Sequence, residues 1–142
     1  MLELPPLSLY VHIPWCVRKC PYCDFNSHES VGKIPENDYL DALFYDLEND
    51  LPWAQNRKIH SIFFGGGTPS LFSASAIAKI IQRAEKLIGF EDKIEITLEA
   101  NPGTAEQQKF SEFQSAGVNR LSIGAQSFNT AHLKALDRIH DG

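Results

Sequence analysis

Short apolar runs alternate along the chain with longer segments whose apolar residues recur at helical spacing. Residues 8–13 form a β-rich run without clean polar alternation, the pattern of a strand covered on both faces. Asn37 suits the cap of a helix through about residue 51, with Tyr39, Leu40, Leu43, Phe44 and Leu47 on one stripe. Residues 60–64 predict a second strand that breaks into Gly65, Gly66 and Gly67. Ser73 caps a second helix with the stripe Ile77, Ile80, Ile81 and Ala84, closed by Leu87 or Ile88. Residues 94–99 form a third strand, ended by Asn101, Pro102 and Gly103. Thr104 with Gln107 matches a capping box ahead of Phe110 and Phe113, and Gly117 suits that helix's stop. Residues 119–124 predict a fourth strand and residues 129–136 a short fourth helix carrying Leu133 and Leu136. Four strands alternating with four helices predict an α/β fold around a parallel sheet.

That count is small for a closed eight-fold barrel, which needs roughly 250 residues. The fourth strand is followed by no fifth to cover it, and a bare parallel edge invites pairing with another chain. The chain therefore reads as a piece of a larger barrel-like enzyme, expected to expose apolar surface and to be prone to aggregation. No internal linker or low-complexity stretch divides residues 1–142. The sequence has 142 residues, 43% of them apolar and 22% charged, so disorder is excluded. A net charge of −5 disfavours a nucleic-acid scaffold. Apolar stretches of five to six residues fall far short of the roughly 20 that a membrane span needs. The N-terminus lacks a basic region followed by an apolar core, so it does not read as a secretory signal, and a cytoplasmic setting is expected. Peripheral membrane contact is left open, with nothing in the sequence to indicate it.

The cysteines sharpen the picture. All three, Cys16, Cys20 and Cys23, lie within eight residues. An odd, clustered set in a reducing compartment points to metal or catalytic work rather than disulfides. A structural zinc would want a fourth ligand, for which His12 and His28 are the near candidates. An iron–sulfur cube held by three thiolates instead keeps one iron open for an exchangeable ligand. Both readings stand on spacing alone.

The run Gly65-Gly66-Gly67-Thr68-Pro69 follows the second strand, where glycines let backbone approach a ligand closely. It is neither a phosphate loop nor a dinucleotide fingerprint. Glu99 closes the third strand and Gln126 follows the fourth. Each of these features alone has a plain reading, a tight turn or a solvated loop residue. In a parallel sheet, however, all four strands end on one side, so the Cys loop, the glycine run, Glu99 and Gln126 converge there, where ligand sites form.

The spacing Cys16-x3-Cys20-x2-Cys23, with Tyr22 before the last cysteine, resembles the radical S-adenosylmethionine superfamily. Five further stretches narrow the likeness: residues 10–16, Cys23 to Asn26, residues 64–70, residues 99–103 and residues 120–128. Together they resemble the oxygen-independent coproporphyrinogen III oxidase group and, within it, the haem-chaperone branch of HemW type. The resemblance implies that the chain is the N-terminal part, four βα units, of a partial (β/α)6 radical-SAM barrel, a core domain over 1–142 that is incomplete at its C-terminus. It implies a 4Fe–4S cluster on Cys16, Cys20 and Cys23, with S-adenosylmethionine on the open iron and a 5′-deoxyadenosyl radical as the family's product. Tyr10 and Tyr22 would flank the cofactor, Tyr22 near the adenine. Gly66, Gly67 and Thr68 would hold the methionine amino end, Glu99 and Gln126 further polar groups, and Arg138 a carboxylate.

It also implies haem and haem-acceptor proteins as partners of the full-length chain, and a flavodoxin- or ferredoxin-like electron donor. The oxidases carry a further cysteine two positions past the last ligand, where this chain has Phe25. That departure favours haem chaperoning over a coproporphyrinogen III dehydrogenase. The remaining candidates take plain readings: Trp15 as a buried aromatic, His12 as a residue behind the site, Phe63 and Phe64 as core, and the acids of residues 46–50 as a solvated face.

Overall fold

The computed structural model describes residues 3–142, apart from the side chains of residues 104–107. Strand β1 (Leu7–Ile13) leads through the two-residue β2 (Trp15–Cys16) and a loop to β3 (His28–Glu29), which pairs in parallel with β2. Helix α1 (Glu36–Ala54), strand β4 (Ile59–Gly66), a short 3-10 turn at Pro69–Leu71, helix α2 (Ala74–Leu87) and strand β5 (Phe90–Ala100) follow. Helix α3 (Thr104–Ser115), strand β6 (Arg120–Ile123) and helix α4 (Thr130–Ala135) complete the chain. The main sheet has the order β1-β4-β5-β6, every pair parallel. Each new strand is added on the same side with no reversal of direction, which is the wall of a barrel rather than a doubly wound sheet.

Helices α1, α2 and α3 pack side by side along one face of that wall. The predicted stripes explain why. Ala76, Ile77, Ile80, Ile81 and Ala84 of α2 are buried, and Leu40 of α1 is buried with Tyr39, Leu43, Phe44 and Leu47 packed beside it. They meet Val11, Ile13, Ile62, Phe64, Ile96 and Leu98 of the sheet in one core.

Sequence and structure differ first in β1. Its burial alternates, Val11 and Ile13 inward to the helices and Tyr10 57% exposed, so the strand is covered on one face, not two. On the other face of the wall the polar members of the pleat, Ser8, Ser61, Glu95 and Arg120, pair across strands: Ser8 Oγ lies 2.8 Å from Ser61 Oγ, and Arg120 Nη1 3.2 Å from Glu95. Phe63 belongs to that open face, stacked 6.4 Å from the Tyr10 ring, whereas Phe64 is core.

Helix α1 begins at Glu36 with Pro35, not Asn37, in the cap position and no side-chain cap. It runs past Pro52, tolerated because only the last turn follows, and stops at Gln55 in the left-handed region. Ser73 caps α2 as expected, accepting from the Ala76 N–H at 3.2 Å, and Asn129 caps α4. Helix α3 starts at Thr104 behind Gly103, one residue ahead of the expected cap, and the box on Thr104 and Gln107 lies outside the described side chains. The β2–β3 pair was invisible as periodicity because two residues carry none. At the far edge, β6 leaves Ile123 half exposed.

Candidate functional site

The site grows from the end of β1. There the chain turns at Pro14 and β2 runs beside the glycine run: the Gly67 N–H donates to the Ile13 carbonyl and the Thr68 N–H to the Trp15 carbonyl, each at 2.7 Å. A Cβ on Gly67 would come 2.5 Å from the Trp15 oxygen and 3.0 Å from Cys16 Sγ, so only glycine lets the cysteine strand lie this close. The glycines thus seat Cys16 as well as facing the cleft. Because their N–H groups are committed, any grip on a ligand there falls to acceptors. Trp15 packs edge-on against Tyr39 at 4.7 Å and beside Phe72, and is half-buried against the core rather than fully buried.

Ten of the eleven residues singled out from the sequence line one cleft at the C-terminal ends of the strands: Cys16, Cys20, Cys23, Tyr22, Gly66, Gly67, Thr68, Glu99, Gln126 and Arg138. Tyr10 stands just below them on the open face. Its ring edge and the Glu99 carboxylate both crowd the position a Gly65 Cβ would take, at 3.1 and 3.2 Å. Burial raises the Glu99 pKa, opposed by the Gly66 N–H. Burial and then the nearby Glu99 charge raise that of Tyr10. Gln126 reaches the cleft with φ 66°, a conformation uncommon for a residue with a Cβ.

Arg138 ties the cleft together. Nη1 donates toward Cys20 Sγ at 3.5 Å and Tyr22 Oη at 3.4 Å, while Nη2 donates to Asn101 Oδ1 at 2.9 Å and to the Gly124 carbonyl. Its Nε is buried with no acceptor among the described residues. Sequence reasoning read Asn101 only as a turn, yet its amide also donates to the Thr68 hydroxyl at 3.2 Å and so links three strand ends. Its position directly after a strand, ahead of a proline, was the available signal. Arg18, which pairs with Asp137 at 2.7 Å, and Phe25, 66% exposed, line the same region without having been read as part of it.

The thiols are free, Cys16 buried and the other two half-buried. Among the described residues no three His, Cys, Asp or Glu side chains gather as a single ion requires. A tetrahedral zinc would bring its sulfurs within about 3.8 Å of one another given Zn–S bonds of about 2.3 Å. His12, one of the two candidates for a fourth zinc ligand, has both ring nitrogens engaged, Nε2 with the Asn26 carbonyl at 2.8 Å and Nδ1 with Tyr10 Oη at 2.9 Å. A cube spreads its thiolates over separate irons, and three free thiols lining one cleft with an orphaned guanidinium N–H suit such a cluster with a carboxylate-bearing ligand.

A barrel wall with a three-cysteine loop on its first strand end defines a class, and the comparisons give it a family. The model of the radical SAM superfamily matches residues 10–141, and the chain belongs to that superfamily. It is 59% identical to the heme chaperone HemW of Haemophilus influenzae over 99% of this chain and 38% of that protein. It is 54% identical to the Escherichia coli heme chaperone HemW over 99% of this chain and 37% of that one. The solved structure of coproporphyrinogen III oxidase (HemN) from Escherichia coli, a radical SAM enzyme, superposes with a TM-score of 0.84 at 32% identity, covering 96% of this chain and 31% of that one. The chain thus spans less than two-fifths of the length of these relatives. No helix of the described residues is long and apolar enough to cross a membrane.

Proposed function

We propose that residues 1–142 are part of the radical-SAM core of a cytoplasmic haem chaperone, with a 4Fe–4S cluster on Cys16, Cys20 and Cys23 and exchangeable S-adenosylmethionine beside it. The observation that carries this reading is the convergence of the three thiols with Gly66, Gly67, Thr68, Glu99, Gln126 and Arg138 in one cleft, together with identity to heme chaperones over nearly the whole chain. When bound, the cluster and S-adenosylmethionine supply one-electron chemistry at a sulfonium. The chain's own residues bind and orient. Carbonyls of the glycine turn and the Glu99 carboxylate accept from the ligand's ammonium, and the free Nε of Arg138 donates to its carboxylate. The Tyr22 ring offers a face to the adenine. Tyr10, held by His12, closes the floor below Glu99.

Haem, haem-acceptor proteins and a flavodoxin- or ferredoxin-like electron donor are the partners this reading gives the full-length protein. Anaerobic reconstitution tests it, followed by iron and sulfide analysis, haem titration and an assay for 5′-deoxyadenosine. Serine at any one of the three cysteines should abolish the cluster. Zinc without iron or sulfide in anaerobically prepared protein would overturn the reading. The likeness to HemN keeps one alternative, a coproporphyrinogen III dehydrogenase. Phe25 in place of the oxidases' further cysteine counts against it, and turnover of coproporphyrinogen III by intact, cluster-loaded protein would establish it.

A further inference from the structure

The cysteine loop returns to the sheet through residues 25–27, three consecutive positions whose carbonyls are each held by a side chain from elsewhere. Lys19 Nζ donates to the Phe25 carbonyl at 3.3 Å and to the Ser27 carbonyl at 3.0 Å, and His12 holds the Asn26 carbonyl between them. The Lys19 bonds close a ring of chain that contains Cys20 and Cys23. Within it Ser27 is 1% exposed, and its hydroxyl lies 3.7 Å from Cys23 Sγ. The His28 N–H then donates to the Pro14 carbonyl at 2.7 Å, locking the end of the ring to the start of β2. A loop of this length has no ladder of its own, so without such ties its thiols would sample many placements before a metal arrived.

We infer that Lys19 is a positioning residue: its ammonium clamps the return limb of the cysteine loop so that Cys20 and Cys23 stand ready beside Cys16. The inference rests on the cluster reading above and adds a role for a residue that is not itself a ligand. The clamp has a second consequence, because it fixes a positive charge on the loop that carries Cys20 and Cys23, and that charge favours the more reduced, more negative state of what the thiolates hold.

The test compares Lys19→Met, which keeps the stem and removes the ammonium, with Lys19→Arg, which keeps charge and donors, in the full-length protein. In the metal-free protein, hydrogen exchange at the Ser27 and His28 amides should rise about 10-fold in Lys19→Met while amides of β4 and β5 hold their rates. In the reconstituted protein, chelator-driven iron release should be about 10-fold faster in Lys19→Met, the size usual for losing a group behind metal ligands. Its midpoint potential should move to more negative values. Lys19→Arg should restore all three. Parent-like exchange and iron release in Lys19→Met would overturn the inference, as would faster exchange spread evenly over the chain. A parent protein that assembles no cluster, yet whose Ser27 and His28 amides depend on Lys19, would refute the cluster reading and support the clamp.

Discussion

On the helix side of the sheet, Ile13, Ile62, Phe64, Ile96 and Leu98 are at most 3% exposed and belong to one apolar core. On the opposite side and at the C-terminal rim, the same strands present Tyr10, Ser61, Glu95 and Glu99, held in place by directed bonds and by one glycine turn that a single methyl group would disrupt. The first side folds the wall, through non-directional burial that tolerates exchange of one apolar shape for another. The second side positions chemistry, through contacts that depend on individual atoms. Substitutions on the two sides should therefore fail in different ways.

The largest effect belongs to the helix side. Phe64→Ala empties a fully buried site and should cost about 3–5 kcal/mol in chemical denaturation. Tyr10→Phe, one strand over on the open face, removes only the bond to His12 and should cost less than about 1.5 kcal/mol. Comparable losses for the two would mean that the open face is covered in solution. Next comes Gly67→Ala. Its Cβ would press on the Trp15 carbonyl and Cys16 Sγ, so β2 must move; about 1–3 kcal/mol of stability should go. The cluster should be lost with it, which distinguishes this change from Phe64→Ala at matched residual stability. Full iron and sulfide occupancy in Gly67→Ala would show that the turn does not seat Cys16.

Gln126 gives a smaller effect of opposite sign. Its left-handed backbone costs roughly 1–2 kcal/mol that glycine does not incur, partly offset by glycine's greater freedom when unfolded. Gln126→Gly should therefore unfold at slightly higher denaturant, by under about 1 kcal/mol, while binding S-adenosylmethionine more weakly. A gain in both stability and binding would remove Gln126 from the site.

The helix side was the more legible of the two in the sequence, since periodicity reports burial directly. The stripe of α2 and the cap at Ser73 could be read residue by residue. The alternation of β1 was present too, but Tyr10 and His12 are half apolar in character, and two such residues blur a period of two. The rim was legible as a list of residues because parallel strands must end together. How those residues are tied was not: Arg138 to Cys20 and Lys19 to Ser27 are bonds between long side chains and loop atoms, which leave no repeat in a sequence. Asn101 shows the limit most clearly, since a strand-ending turn and a three-way tie call for the same residue.

The smallest effect is a titration, and it falls on the rim alone. Burial holds the Glu99 pKa above its ordinary 4.5, against the pull of the Gly66 N–H. A carboxyl with a raised folded-state pKa binds its proton more tightly in the folded chain than in the unfolded one. Its contribution to stability is fully present below pH 4.5 and is lost as pH rises through the folded-state value. Above that value the ionised group weighs against folding, so Glu99→Gln should melt slightly higher than the parent at neutral pH. The advantage should fade as pH is lowered past 4.5, where Glu99 is protonated in both states. Tyr10, whose pKa the same charge raises, should titrate at lower pH in the variant, readable by its phenolate absorbance. Binding should move the other way. An ammonium placed against ionised Glu99 restores the charge partner that burial removed, so affinity for S-adenosylmethionine should climb with pH over this interval in the parent and stay flat in Glu99→Gln. Identical pH profiles for the two proteins, in melting and in binding, would place Glu99 outside the ligand's reach and leave its burial a matter of packing alone.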